Sequence, residues 1–161
     1  MFCVRIQEAP FDAAAEAARL AQGRTDVGGI VTFTGLCRAD AAAGGTGLAA
    51  LTLEHYPGMA EEEIERHVAE ARARWPLLGA IVVHRHGRLV PGDPIVFVAT
   101  ASAHRTAAFA AAEFLMDWLK TSAPFWKKEE RADGPEAGGW VEAKASDDQA
   151  AERWARDRAQ D

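Results

Sequence analysis

Three lysines, Lys120, Lys127 and Lys128, fall within nine residues around Pro124-Phe125-Trp126. An ammonium beside an aromatic face can hold a flat heterocycle. With 125–128 extended, Lys127 shares a face with Phe125, and Lys128 points with Trp126. Lys120 alone asks for no function, since a cation in the last turn of a helix is stabilised by the dipole. His104 and Arg105 are different. They open the helix that Lys120 closes, where exposed N–H groups already present positive potential, and a cation there is unfavourable by roughly 0.3–1 kcal/mol. The other expected helices keep the dipole rule. Asp12 and Glu16 open one and Arg19 closes it; Glu61, Glu62 and Glu63 open the next, which ends in Arg72 and Arg74; Asp147 and Asp148 open the last, with Arg153, Arg156 and Arg158 later. One helix departs from the rule, toward concentrated positive charge, and such a place suits an anion.

Helical rise limits how these cations combine. Arg105 and Lys120 are fifteen residues apart, about 22 Å at 1.5 Å per residue, so one small ligand is not gripped by both within one chain. Either they serve different sites, or a two-fold dimer brings the helix start of one protomer beside the helix end of the other. Arg38, beside a glycine-rich stretch, is a third cation for a phosphate or an ordinary exposed arginine. Cys37 is either a low-pKa nucleophile or a small buried strand residue, and we read it as the second. His84 and His86 share a strand face; with no third ligand at metal spacing they read as a satisfied or exposed pair, and no metal is expected. His55 reads as structural. No Ser/His/Asp set and no paired catalytic carboxylates stand out.

The elements that must position these groups follow from patterning. The stripe Ala107, Ala111, Phe114, Leu115 and Trp118 marks the long helix, with Ser102 as the expected N-cap and Pro124 forbidding continuation past Ala123. Residues 2–7 suggest an edge strand. Pro10-Phe11-Asp12 opens a short Ala-rich helix that Gly23 can end. Gly28–Gly35 is a β-branched strand running into the small-residue loop 39–47, which has neither GxGxxG nor Walker spacing. Leu48–Tyr56 is a strand, and 59–74 a helix stopped by Pro76. Ala80–His86 is a strand, 88–93 a turn with Pro91-Gly92 suited to type II, and Pro94–Thr100 the most apolar and central strand. Phe125–Glu130 and Trp140–Lys144 read as a hairpin (124–145), followed by a tail helix over 146–159. Strand pairs alternate with about four helices, giving an α+β class with antiparallel sheets in a single domain, 1–161.

The 161 residues carry 48% hydrophobic and 26% charged side chains, as in a soluble globular protein. A net charge of −6 and a pI near 5.4 argue against broad nucleic-acid binding, so the basic cluster stands out locally. Two cysteines without zinc spacing, no long apolar run and no signal-peptide pattern make the cytoplasm the expected compartment.

Val31-Thr-Phe-Thr-Gly35 with Arg38, Leu51-Thr-Leu-Glu-His-Tyr-Pro-Gly-Met59, Pro91-Gly-Asp93, Ser102-Ala-His-Arg105, Lys120-Thr-Ser-Ala-Pro-Phe-Trp-Lys127 and Trp140-Val-Glu-Ala143 together resemble the large (catalytic) subunit of molybdopterin synthase. The resemblance spans nearly the whole chain. It implies an α/β-hammerhead fold and a homodimeric core, flanked by two copies of a small ubiquitin-like sulfur-carrier subunit. That subunit's C-terminal Gly-Gly thiocarboxylate supplies two sulfurs to cyclic pyranopterin monophosphate, forming the dithiolene of molybdopterin. It further implies that Lys120 and Lys127 are catalytic, and that Arg38, His104, Arg105 and Lys128 bind substrate. Lys144 stands where the family places an arginine from the other protomer. No cofactor is implied, because the thiol chemistry belongs to the partner's tail. The reading from another class is a non-catalytic dimeric module that binds a phosphorylated metabolite or a protein tail.

Overall fold

A computed structural model describes residues 1–39, 47–133, 138–141 and 154. The chain forms β1 (Phe2–Gln7), α1 (Ala13–Ala21), β2 (Gly29–Leu36), β3 (Leu48–His55) and α2 (Met59–Arg74). It continues with β4 (Leu77–Arg85), β5 (Gly87–Leu89), β6 (Pro94–Ser102), α3 (Arg105–Thr121), β7 (Phe125–Arg131) and β8 (Trp140–Val141). The first sheet has the order β1-β4-β6-β2 and the second β5-β3-β7-β8. Among the described residues only the β1–β4 pairing is parallel; the other pairings are antiparallel, and the class is α+β.

The two central strands of the first sheet, β4 and β6, are mostly apolar and almost wholly buried, as strands covered on both faces are, with His84, Arg85, Thr100 and Ser102 their buried polar residues. Alternation sorts their side chains. Ala80, Val82, Val96 and Val98 pack under α2 and α3, against Ile64, Val68, Phe114, Leu115 and Trp118. Ile81, Val83, Phe97, Ala99 and Ala101 point the other way and pack with Leu20 of α1. The expected apolar stripe of α3 is buried at every position, Ala107, Ala111, Phe114, Leu115 and Trp118.

Helix boundaries follow local chemistry. Asp12 caps α1, its Oδ1 accepting from the backbone N–H groups of Ala14 (2.9 Å) and Ala15 (3.0 Å). At α2 the Glu61 carboxylate reaches back to accept from the Gly58 N–H at 2.8 Å, and Pro76 follows the C-cap Trp75. α3 departs from expectation at its start. Ser102 is not its N-cap but the last residue of β6, held in the sheet by pairing with Gly29 and Leu77. Its hydroxyl donates to the Pro76 carbonyl at 2.9 Å. His104 takes the N-cap position and makes no side-chain capping bond.

Three further differences concern strands. β4 begins at Leu77, directly after Pro76, rather than at Ala80, because Leu77 already pairs with Ser102 of β6. β6 runs two residues beyond Thr100, since the β2 edge continues to offer partners. Within the expected turn over 88–93, Gly87–Leu89 forms a short strand on Leu51–Leu53 of β3. Three residues carry too little alternation to announce a strand. The Pro91-Gly92 turn itself forms, with Gly92 at φ 97° and the Asp93 N–H donating to the Val90 carbonyl at 3.0 Å.

Candidate functional site

α3 runs alongside the edge strand β2, and the approach of the two is set at a glycine. The Gly28 N–H donates to the Ser102 carbonyl at 3.0 Å, and a Cβ on Gly28 would lie 2.1 Å from the Ala103 carbonyl oxygen. No larger residue fits there without displacing the turn that launches α3. Gly29 therefore starts β2 beside Arg105, and strand and helix proceed in the same direction. The strand's exit at Cys37-Arg38 lies toward the helix end that carries Lys120. That exit is clamped to the Pro91–Asp93 turn: the Cys37 N–H donates to the Asp93 carbonyl, and the Gly92 N–H to the Cys37 carbonyl, each at 2.8 Å.

Between β2 and α3 lies a groove of about 340 Å³. Val31, Thr32 and Phe33 line it from the strand; Phe109, Met116 and Lys120 line it from the helix. Its character is mostly apolar, with Phe109 62% and Phe33 41% exposed. Glu113 and Asp117 also border it. The Asp117 carboxylate accepts from the Trp154 indole N–H at 2.8 Å, while the Trp154 ring meets Phe114 and Trp75 edge-on at 5.5 and 5.7 Å.

The expected site residues fall into three groups. Lys120 lines the groove at the C-terminal end of α3, and Arg38, just past the end of β2, is exposed and not among the groove's lining residues. His104 and Arg105 are exposed at the opposite end of α3, in a first turn that holds no acidic residue. Lys127 and Lys128 lie on β7, where Lys127 pairs with Leu53 and Val141, and Lys128 with Thr52 and Trp140. The two lysines project from opposite faces of the second sheet. Lys128 shares its face with Trp126 and Trp140, which are 50% and 58% exposed. Lys144 lies outside the described residues, as do loop positions 40–46 and the tail helix apart from Trp154.

Lys127 shares its face with Phe125, whose ring stacks on His84 at 3.9 Å and 17°. His55 meets Phe125 at 5.9 Å and His86 at 4.7 Å. The His84 Nδ1 lies 2.8 Å from the Arg85 carbonyl, which only accepts, so the proton sits on Nδ1. Burial pushes the His84 pKa down to about 4, with the nearby Lys127 adding to the effect. The ring is neutral at neutral pH. Among the described residues no group of three His, Cys, Asp or Glu side chains is disposed to hold a metal ion.

Cys37 is buried at 3% exposure, and burial, with Asp93 adding, pushes its thiol pKa up. A thiolate is disfavoured there, as expected for a structural cysteine rather than a nucleophile. Patterning did not single out Phe33, Phe109, Met116 or Asp117 as groove residues. The available signal was Phe109, an aromatic off the apolar stripe of an amphipathic helix.

Fold and groove together define an α+β domain in which an edge strand and its neighbouring helix present an apolar, lysine-ended cleft. Residues 6–122 match the MoaE protein family, and the chain belongs to that family. It is 64% identical over 151 residues, 94% of this chain and 92% of the relative, to the molybdopterin synthase catalytic subunit of Mesorhizobium japonicum. The molybdopterin biosynthesis MoaE protein from Burkholderia ambifaria superposes with a TM-score of 0.79 at 47% identity, covering 96% of this chain and 99% of that one. A solved complex of subunits 1 and 2 of the molybdopterin-converting factor from Helicobacter pylori contains a chain matching at TM-score 0.68 and 17% identity, covering 88% of this chain and 90% of that one, a likeness of fold. The resemblance drawn from the motifs is thus borne out at the level of the family. Among the described residues no helix is long and apolar enough to cross a membrane.

Proposed function

We propose that this chain is the catalytic subunit of a molybdopterin synthase. It transfers two sulfurs from the C-terminal thiocarboxylate of a small ubiquitin-like carrier subunit to cyclic pyranopterin monophosphate. The observation that carries the reading is Lys120 at the end of the β2–α3 groove, in a chain 64% identical to a protein named for that activity. A Gly-Gly terminus suits a narrow approach to Lys120, since it passes where side chains would not. Arg38, His104, Arg105 and Lys128 are the substrate-binding cations. Lys120 and Lys127 are the catalytic pair, one protonating the opening phosphate ring and the other polarising the thiocarboxylate carbonyl.

The site is completed by a second copy of the chain. Three features support this. Arg105 and Lys120 are both on α3 and about 22 Å apart along it. Their midpoint falls between Ala112 and Glu113, so a two-fold axis crossing the helix there sets Arg105 of one copy against Lys120 of the other. The same operation sets Phe109 beside Met116, an aromatic–thioether contact. Second, β2 is an edge strand with exposed Phe33 and Leu36. Third, the groove of a single chain carries Lys120 against Glu113 and Asp117, and an anionic substrate needs further cations there. Lys144, outside the described residues, is assigned as a cation from the other copy on the family resemblance alone. The small subunit is assigned as the third component by analogy with the two-subunit complex from Helicobacter pylori.

The test is reconstitution with thiocarboxylated small subunit and the pyranopterin substrate, following dithiolene formation. Turnover lost in Lys120→Ala with tail binding retained supports the enzyme. Binding of tail or phosphate by the wild type without turnover supports the non-catalytic module instead.

A further inference from the structure

We propose that His84 is a positioning residue for Lys127, acting through Phe125: the stacked pair fixes the sheet that carries Lys127 against the sheet over which Lys120 is held. The inference rests on the assignment of both lysines to one reaction, made above.

The two lysines belong to different halves of the fold. Lys120 sits in the last turn of α3, which packs on β6 and β2 of the first sheet. Lys127 is on β7, whose strand partners are β3 and β8 of the second sheet. The covalent link between them passes through the Ser122 C-cap and a tight turn in which the Phe125 N–H donates to the Ala123 carbonyl at 2.7 Å. A turn alone does not set the distance between two side chains. The rings at the sheet junction do. His84 lies near the end of β4, paired with Ile6 and Val96 in the first sheet, and is only 7% exposed. Phe125 and His55 come from the second sheet, and are direct neighbours in the β3–β7 ladder. His86 lies on the link by which β4 passes into β5.

The stack has a defined geometry because His84 has one. Its Nδ1–H bond to the Arg85 carbonyl leaves the ring one orientation, and a near-parallel ring at 3.9 Å passes that orientation to Phe125. Phe125 and Lys127 are two residues apart on the same strand face, so a shift of the first carries the second with it. The buried neutral imidazole is well suited to this work and poorly suited to proton transfer, since its pKa of about 4 leaves it unprotonated where lysines act. A misplacement of about 1 Å at a reacting group can cost on the order of a hundredfold in rate.

The experiment measures turnover and KM in the reconstituted synthase for His84→Leu, Phe125→Leu, the double variant and His84→Phe. Melting temperature and small-subunit binding report folding. The expected result is a fall in kcat of about tenfold in each Leu variant, with KM for the small subunit within about twofold. The double variant is no slower than the slower single, and His84→Phe, which keeps a ring under Phe125, recovers most of the loss. A folded His84→Leu with wild-type kcat, a loss confined to KM, or losses that multiply in the double variant would overturn the proposal. Should His84→Leu fail to fold, Phe125→Leu decides: unchanged kcat refutes the role, and a tenfold loss at unchanged KM supports it. A wild type without turnover removes the enzymatic reading and this inference together. An active wild type, inactive Lys120→Ala and unaffected Phe125→Leu remove this inference alone.

Discussion

Two impaired variants should make a more active enzyme when mixed. α3 places Arg105 and Lys120 at its two ends, about 22 Å apart, on one exposed side of the helix. If a two-fold axis crosses that helix near Ala112, every site takes its lysine from one copy and its arginine from the other. Lys120→Ala removes a group acting in the transition state and should lower turnover by about 10²–10⁴. Arg105→Ala removes a charge-assisted contact to the substrate phosphate, worth about 1.5–3 kcal/mol, or roughly ten- to a hundredfold in kcat/KM. In a mixed dimer, one site pairs Lys120 of the Arg105→Ala copy with Arg105 of the Lys120→Ala copy and is intact. The other site lacks both. Random pairing makes about half of all dimers mixed, each with one intact site in two, so about a quarter of wild-type activity returns.

The assay is dithiolene formation after the two variants are co-refolded or co-expressed with different tags and the mixed dimer isolated. Purified mixed dimer should show about half the wild-type rate per dimer. A mixture that stays at the level of its more active parent refutes the shared site, because each chain then needs its own arginine and lysine.

Further outcomes follow from single residues. Phe109→Glu should break the dimer: burying a phenylalanine is worth about 1.5–3 kcal/mol, and two copies shift the dimer dissociation constant by about 10²–10⁴, readable by light scattering or sedimentation. Cys37→Ser should leave kcat within about twofold, since the thiol is buried and its pKa raised; an inactive folded variant would make it a participant. Trp154→Phe keeps the ring beside Phe114 and removes the donor to Asp117, and should cost about 0.5–1.5 kcal/mol in chemical denaturation. Stability should fall as pH drops from about 6.5 toward 4, because the unfolded chain protonates His84 at its ordinary value of 6.5 and the folded chain does not until about 4. The His84 share of the loss reaches about 3 kcal/mol and is removed in His84→Phe. That variant keeps only the remaining fall, to which His67, its pKa also lowered by burial, contributes, as denaturation at pH 7, 5.5 and 4.5 would read.

What patterning could and could not reveal here divides along the range of the interaction. Helix 59–74 was legible to the residue, because its Pro-Gly entry, acidic first turn and Pro76 stop are all local. The burial of α3 and the central place of β6 followed from periodicities that a single strand or helix displays by itself. Ser102 misled because an N-cap is judged by residue type, whereas the sheet had a stronger claim: continued pairing of β6 with β2 and β4 carried the strand through Ser102, and its hydroxyl went to Pro76. β5 stayed hidden because three residues pair only when β3 offers an edge.

The candidate site splits the same way. The charge anomaly at His104-Arg105 was visible because the dipole rule compares a residue only with its own helix. The groove was not, because it exists only once β2 is known to be an edge strand lying along α3. Phe33 looks like an ordinary core residue until the strand order denies it a covering element, and Phe109, off the apolar stripe of α3, has no evident neighbour until β2 is placed beside it. Exposure of both then has a physical meaning that neither has alone. An apolar cleft bordered by two carboxylates and ended by a lysine does not attract an anionic phosphate. The anomalous cations lie too far along the same helix to correct that within one chain. The charge pattern and the groove therefore become consistent with a single anionic ligand only when a second α3 is brought in antiparallel, which is the arrangement the mixed-dimer experiment tests.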